Sequence, residues 1–212
     1  AALALAVILS GPQYAEAQQP QRSAPTKQDI EASLSARLAY IVTGNTQVDE
    51  ASKLGLASLS RALANRTSFE PAAPAGLDPA KDELVFYSLI YWRVPPEQPM
   101  PSDAAMRATD QFMKNGGTVI FDTRDAASIQ SASSPSAETR RLRQMLRSID
   151  IPEIEQIPRD HVLTKTFYLI DRVIGRYAQG ETWVEALPRA TGADKRPARA
   201  GDRVSPVVIT SN

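Results

Sequence analysis

The 212-residue sequence has no cysteine and a single histidine, His161. The missing thiols exclude disulfides, zinc–thiolate sites, iron–sulfur clusters and thiolate nucleophiles together. One imidazole likewise excludes a multi-histidine metal centre within one chain. Any metal chemistry would have to run on carboxylates, and neither a metal nor another cofactor is expected. Net charge is missing too: Lys plus Arg and Asp plus Glu both number 24. The whole chain therefore has no electrostatic drive toward phosphate backbones, and nucleic acid is not an expected partner. Neither the glycine pattern of a dinucleotide or phosphate loop nor the G-x-S-x-G elbow of hydrolases occurs. What is present is an ordinary globular composition, 42% hydrophobic and 23% charged, on a length that suits one domain. Sixteen prolines point to long connections or flexible ends.

The chain opens "AALALAVILSGPQYAEAQ", and every residue from Ala1 to Leu9 is apolar. That is shorter than the roughly 20 residues of a complete membrane span. It reads as the apolar region of a secretory signal with Ala15-Glu16-Ala17 as cleavage site, or as the end of a transmembrane helix that starts upstream. A buried core helix ranks third, because Gly11-Pro12 stops the run abruptly. The first two readings place the rest of the chain outside the cytoplasm. Residues 1–12 are thus read as this apolar segment, 13–28 as a Gln/Ala/Pro-rich tether, and 29–212 as the folded domain.

A short helical pattern (Ile30, Leu34) leads into a β-prone run, Leu38 to Val42, that stops at Thr43-Gly44-Asn45. Thr46 can cap a helix reaching about Asn65, with Val48, Leu56, Leu59 and Leu63 near one face. "TSFEPAAPAGLDPAKDE" then reads as a long proline-bearing connection. "ELVFYSLIYW" predicts a central strand covered on both faces. Ser102 is a plausible cap for a helix through Met106, Phe112 and Met113, stopped by Gly116-Gly117. A third strand follows over Thr118–Phe121, then a helix beginning at Ser134-Pro135 or Ser136, with Leu142, Met145, Leu146 and Ile149 as its buried stripe and Arg140, Arg143 and Arg147 on a solvated flank. Beyond Pro152, "HVLTKTFYLI" suggests a short helix or turn entering a strand, while "TWVEAL" and "SPVVITSN" suggest strands. The alternation predicts an α/β three-layer sandwich with a mainly parallel sheet, flavodoxin-like in layout. The helix expected after the last strand is missing, which reads as C-terminal truncation.

In open parallel sheets ligands bind beyond the carboxyl ends of the strands. That selects Thr43-Gly44-Asn45, the loop after Trp92, and Asp122-Thr123-Arg124-Asp125 as one neighbourhood. Two carboxylates and an arginine could hold a divalent ion or a polar ligand. The favoured reading is structural: Arg124 could pair with the aspartates, or Asp122 could accept from turn amides and hold the loop. Thr123 would serve as a nucleophile only beside a base, and His161 is the sole imidazole. His161 could bind a ligand, act in acid–base chemistry, or simply cap a turn.

Taken together, "RLAYIVTGN", "DELVFYSLIYW", "NGGTVIFDTRD", "DHVLTKTFYLI" and "VSPVVITSN" resemble an uncharacterised bacterial domain family. Its members end large membrane proteins whose N-terminal part looks like the aerotolerance protein BatA. The resemblance runs from about Ala36 to Asn212. It implies a glutamine-amidotransferase-like fold, a transmembrane segment just upstream, a periplasmic domain anchored at the inner membrane, and no established activity. Class I amidotransferases place a catalytic Cys in the sharp turn after a central strand, partnered by a His and a Glu. Here "GGTVIF" is followed by Asp122-Thr123-Arg124-Asp125, so glutamine hydrolysis by that route is excluded. Val162 stands where members often carry a proline after the histidine, and the family pattern continues past Asn212. The resemblance favours the membrane span over the cleaved signal. The function expected from all this is non-enzymatic binding of a ligand or an envelope protein partner. The alternative is a hydrolase of a sugar-like or cell-wall-derived substrate using Asp122, Asp125 and His161.

Overall fold

The structure, a computed structural model, describes residues 27–126, 134–149, 151, 153–166, 169–173, 175–177, 180–186 and 205–211. The apolar start and most of the tether lie outside the described residues. Among those residues no helix is long and apolar enough to cross a membrane. The elements run α1 (Lys27–Leu34), β1 (Arg37–Ile41), α2 (Thr46–Arg66), β2 (Ala72–Leu77), a 3-10 turn (Leu84–Phe86), β3 (Leu89–Arg93), α3 (Asp103–Lys114) and β4 (Thr118–Asp122). They continue with α4 (Ala137–Leu146), β5 (Ile154–Gln156), α5 (Val162–Lys165), β6 (Thr182–Glu185) and β7 (Val207–Thr210). The fold is α/β, built on a seven-stranded sheet of order β2-β1-β3-β4-β7-β6-β5. The five strands from β2 to β7 are parallel, and β6 and β5 close one side antiparallel.

Side-chain alternation along the strands divides the interior in two. Ala39, Ile41, Ile90, Trp92, Val119 and Phe121 face one way and pack with Met106, Phe112 and Met113 of α3 and Leu142 and Met145 of α4. Leu38 and Tyr40 face the other way and pack on Leu56 of α2, joined by Leu63, Leu89 and Tyr91. Helices thus cover both faces, the layering that the strand–helix alternation predicts. Phe121 and Val119 are fully buried and Trp92 almost so, with the Trp92 and Phe121 rings 5.6 Å apart.

The helix starts follow capping chemistry. Ser102 Oγ accepts from Ala105 N (3.2 Å) and Ser136 Oγ from Thr139 N (2.9 Å), as expected from the sequence. At α2 the cap is Asn45, one residue before the expected Thr46: its Oδ1 accepts from Gln47 N (3.1 Å) and Val48 N (3.3 Å). Asparagine wins because it reaches two amides at once. On the same helix Leu59 is exposed while Ser52 and Ser60 are buried. Residues 59 and 60 straddle the sheet-facing line after Leu56, and the small one turns inward. Gly116 ends α3 at φ +94°, a conformation that costs glycine nothing.

Four further features differ from the sequence expectation. The proline-bearing connection contains β2, parallel to β1 and outermost in the sheet. Its pairing slips by one residue between Arg37–Ala72 and Ala39–Ala75, which sets Pro74 in a bulge where no ladder donor is required. "ELVFYSLIYW" is a 3-10 turn followed by a strand of five residues, since Tyr87 N bonds back to Leu84 O (3.0 Å). β5 was not expected: three residues between Pro152 and Pro158 leave too short a pattern to read. In "HVLTKTFYLI" the helix is α5, residues 167–168 lie outside the described residues, and Leu169 and Ile170 are not in a strand.

Candidate functional site

The parallel strands deliver their carboxyl ends to one margin of the sheet. Ile41 and Leu77 stand there level with each other, and Arg93, Asp122 and Thr210 stand in register one residue further on. Between β1 and β3 the chain order reverses: β1 leads through α2 on one face, β3 through α3 on the other. The loops diverge there and leave the crevice in which open α/β sheets bind ligands.

Thr43-Gly44-Asn45 forms one wall as a tight, internally bonded turn. Thr43 N and Oγ1 both donate to Asp49 Oδ1 (2.8 and 2.7 Å), and Asn45 N donates to Thr43 Oγ1 (3.3 Å). Gly44 holds φ +83°, a conformation a side chain would strain. Asn45 Nδ2 reaches Glu97 Oε1 across the crevice (3.4 Å), tying this turn to the loop after β3. The Oδ1 of Asn45 is already spent on the helix cap.

The loop after β3, "VPPEQPMP", is the second wall. Gln98 is buried, at 6% exposure, and its Oε1 accepts from Trp92 Nε1 (3.4 Å). A cavity of about 180 Å³ opens beside it, lined by Ile41, Thr43, Trp92, Gln98, Met100 and Ser102 among others.

The turn after β4 separates its two carboxylates. Asp122 Oδ1 accepts from Arg124 N (3.0 Å); its Oδ2 accepts from Arg124 Nε (3.1 Å) and from the Tyr91 hydroxyl. Burial first, and then the negative charge of Asp122, push the Tyr91 hydroxyl well above its ordinary pKa, so it stays a neutral donor. Arg124 sits at φ +51°, the one described non-glycine residue in the left-handed region, and its two bonds to Asp122 hold it there. Arg93 Nη1 adds bonds to the backbone oxygens of Asp122 (3.0 Å) and Thr123 (2.7 Å).

Asp125 turns the other way and is 2% exposed. It accepts from Thr123 Oγ1 (2.6 Å), Thr139 Oγ1 (2.7 Å) and Ser136 Oγ. Burial works to raise its pKa, but the three hydroxyl donors outweigh it and hold the carboxyl below its ordinary value. Asp125 is therefore the clamp between the β4 turn and the first turn of α4. No group of three or more His, Asp or Glu side chains among the described residues is placed to hold a metal ion.

His161 is not part of this margin. It caps α5, accepting at Nδ1 from Leu163 N (3.2 Å), so Nε2 carries the proton and donates to Ser205 Oγ (3.1 Å). Ser205 lies at the amino end of β7, where its carbonyl accepts from Thr118 Oγ1 (3.3 Å). Thr118 and Asp122 are opposite ends of β4, on the order of 13 Å apart. The sequence did not mark Ser205, and the His161–Ser205 pair has the wrong tautomer for a base that must take the serine proton. Both residues are buried, and burial pushes the His161 pKa below its ordinary value. Thr123, also buried, has a carboxylate partner and no imidazole beside it.

The structure thus places Thr43 in the cavity lining with Gly44 and Asn45 in the turn that follows it, sets Asp122, Thr123, Arg124 and Asp125 one strand away as a bonded turn, and leaves His161 at the other end. Gln98 is the residue that sequence reasoning passed over; its loop was selected, but nothing in "PPEQPMP" distinguishes it from Glu97. No curated protein matches the chain. A family profile does match, from Arg37 at the start of β1 to Asn212, and on that match this chain belongs to the family described as a domain of unknown function, DUF4159.

Proposed function

We propose that this is a non-enzymatic binding domain, held at the periplasmic face of the inner membrane through the apolar residues at its start. On this reading it uses a flavodoxin-like, degenerate amidotransferase-like scaffold to recognise a ligand or an envelope protein partner. One observation carries the proposal: the turn after β4, where the amidotransferase resemblance puts a nucleophile, has its carboxylates engaged in holding the turn itself. The chain has no cysteine to supply that nucleophile. The exposed face of Arg124 remains beside the crevice as a recognition group, at 40% side-chain exposure.

The test is capture of partners from envelope fractions by the full chain, compared with the Asp122→Asn/Arg124→Ala variant after checking that both fold. Loss of a captured partner in the variant is the expected result. Unchanged capture would remove the β4 turn from the recognition surface.

A further inference from the structure

The geometry points to a specific occupant of the crevice between β1 and β3: a small, uncharged, polyhydroxylated molecule of monosaccharide size. This rests on the reading of the domain as a binding module. The cavity of about 180 Å³ holds the volume of about six waters, close to that of one sugar ring.

Gln98 sets the chemistry. An indole nitrogen only donates, so the bond from Trp92 Nε1 fixes which end of the Gln98 carboxamide is oxygen. The amide nitrogen then faces the cavity, and no described residue accepts from it. That nitrogen keeps contact with solvent in the cavity, since it is not among the buried atoms left without a partner, and a ligand oxygen would take the place of water there. Ser102, an exposed residue of the same lining, accepts from Ala105 N, and its own proton has no acceptor among the described residues. Two donors in one lining suit the hydroxyl oxygens of a polyol.

Charge excludes the ionic alternatives. Asp78 is the charged residue of the lining, and its carboxylate already accepts from Ala80 N (3.0 Å) and Lys81 Nζ (2.6 Å). An anion would meet no free cation there, and an ammonium group no free carboxylate. The remaining wall includes Pro79, Pro99, Pro101 and Met100. Proline rings carry no N–H and hold φ fixed, so they offer a pre-formed apolar surface to the C–H face of a pyranose at little entropic cost.

Trp92 reports on the site. In a Trp183→Phe background it is the remaining tryptophan of the full chain, and its emission is followed during titration with D-glucose, D-galactose, D-mannose or N-acetylglucosamine. A saturable change with at least one neutral sugar is expected, and none with D-glucuronate or D-glucosamine. Gln98→Leu is expected to weaken the response about tenfold or more, the scale of one lost hydrogen bond. Met100→Phe, at a half-exposed rim position that is unlike Gln98 in not being buried, is expected to weaken it without touching the polar network. Flat titrations with all four neutral sugars, an unaltered response in both variants, or tighter binding of a charged sugar would each overturn the proposal. A flat titration accompanied by partner loss in Asp122→Asn/Arg124→Ala would overturn the sugar site alone and leave the binding function standing.

Discussion

Two stretches of the carboxyl margin divide its polar groups in opposite ways. In the turn after β4 each carboxylate has hydrogen-bond donors: Asp122 is closed by Tyr91 and Arg124, Asp125 by Thr123, Ser136 and Thr139. In the crevice between β1 and β3 the residues are less conspicuous, yet the amide nitrogen of Gln98 has no described acceptor. Density of charge in a sequence therefore marks the place that needs holding together, and spare hydrogen-bonding capacity marks the place that can hold something else.

The comparison breaks most visibly at Asp125. Asp125→Ala strands three hydroxyls and unclamps α4, and is expected to cost about 3 kcal/mol in urea unfolding. A loss below about 1 kcal/mol would mean the turn is not the structural clamp described. The wild-type contribution also has a pH signature. Because the folded pKa lies below the ordinary value of about 3.9, the stabilisation is present above that value and fades as pH falls through the folded pKa. Asp125→Ala should flatten this acid limb.

His161→Phe should cost about 1.5 kcal/mol, through the lost Leu163 and Ser205 bonds. Its lowered folded pKa makes wild-type stability fall as pH drops below about 6.5, the ordinary histidine value, and the variant should lose that slope. The sugar response should be untouched, since the residue stands at the opposite margin. A change there would join the two ends functionally.

Asn45→Ala removes a helix cap at the crevice and should cost about 1 kcal/mol in thermal or chemical unfolding. Loss of the Asn45–Glu97 tie should in addition loosen the crevice, read as faster amide exchange at Glu97 and Gln98. The smallest effect is expected for Arg124→Gly. Relief of the left-handed backbone offsets the lost ion pair, and stability should stay within about 0.5 kcal/mol of wild type. A large loss would make the Tyr91–Asp122–Arg124 group a stability element in its own right.

The sequence was readable where local chemistry and tertiary packing agree. Ser102 and Ser136 cap the helices they precede, Leu142 and Met145 face the core, and Gly116 takes the left-handed stop. It was unreadable where one overrode the other. "AAPAGL" has poor strand propensity and is held as β2 by pairing with β1 on one side only. The continuous apolar run before Trp92 gave no period to separate a 3-10 turn from a strand. At the site, the carboxyl-end rule selected loops that the structure brings to one margin of the sheet, including Thr43-Gly44-Asn45. The split between Asp122 and Asp125 depends on donors at Tyr91, Ser136 and Thr139, which are distant in sequence and carry no motif.

The bulge around Pro74 has a bearing on how this domain meets other molecules. One border of the sheet is kinked and carries a residue that cannot donate, and the other ends in the three residues of β5. A foreign strand seeking to extend the sheet finds a poor template at either border, the arrangement by which natural proteins suppress fibril growth. Among the described residues the loops of the carboxyl margin and the outer surfaces of the helices suit association better than either border, and a partner met there would be matched by shape and side chains and not merely by an extended backbone.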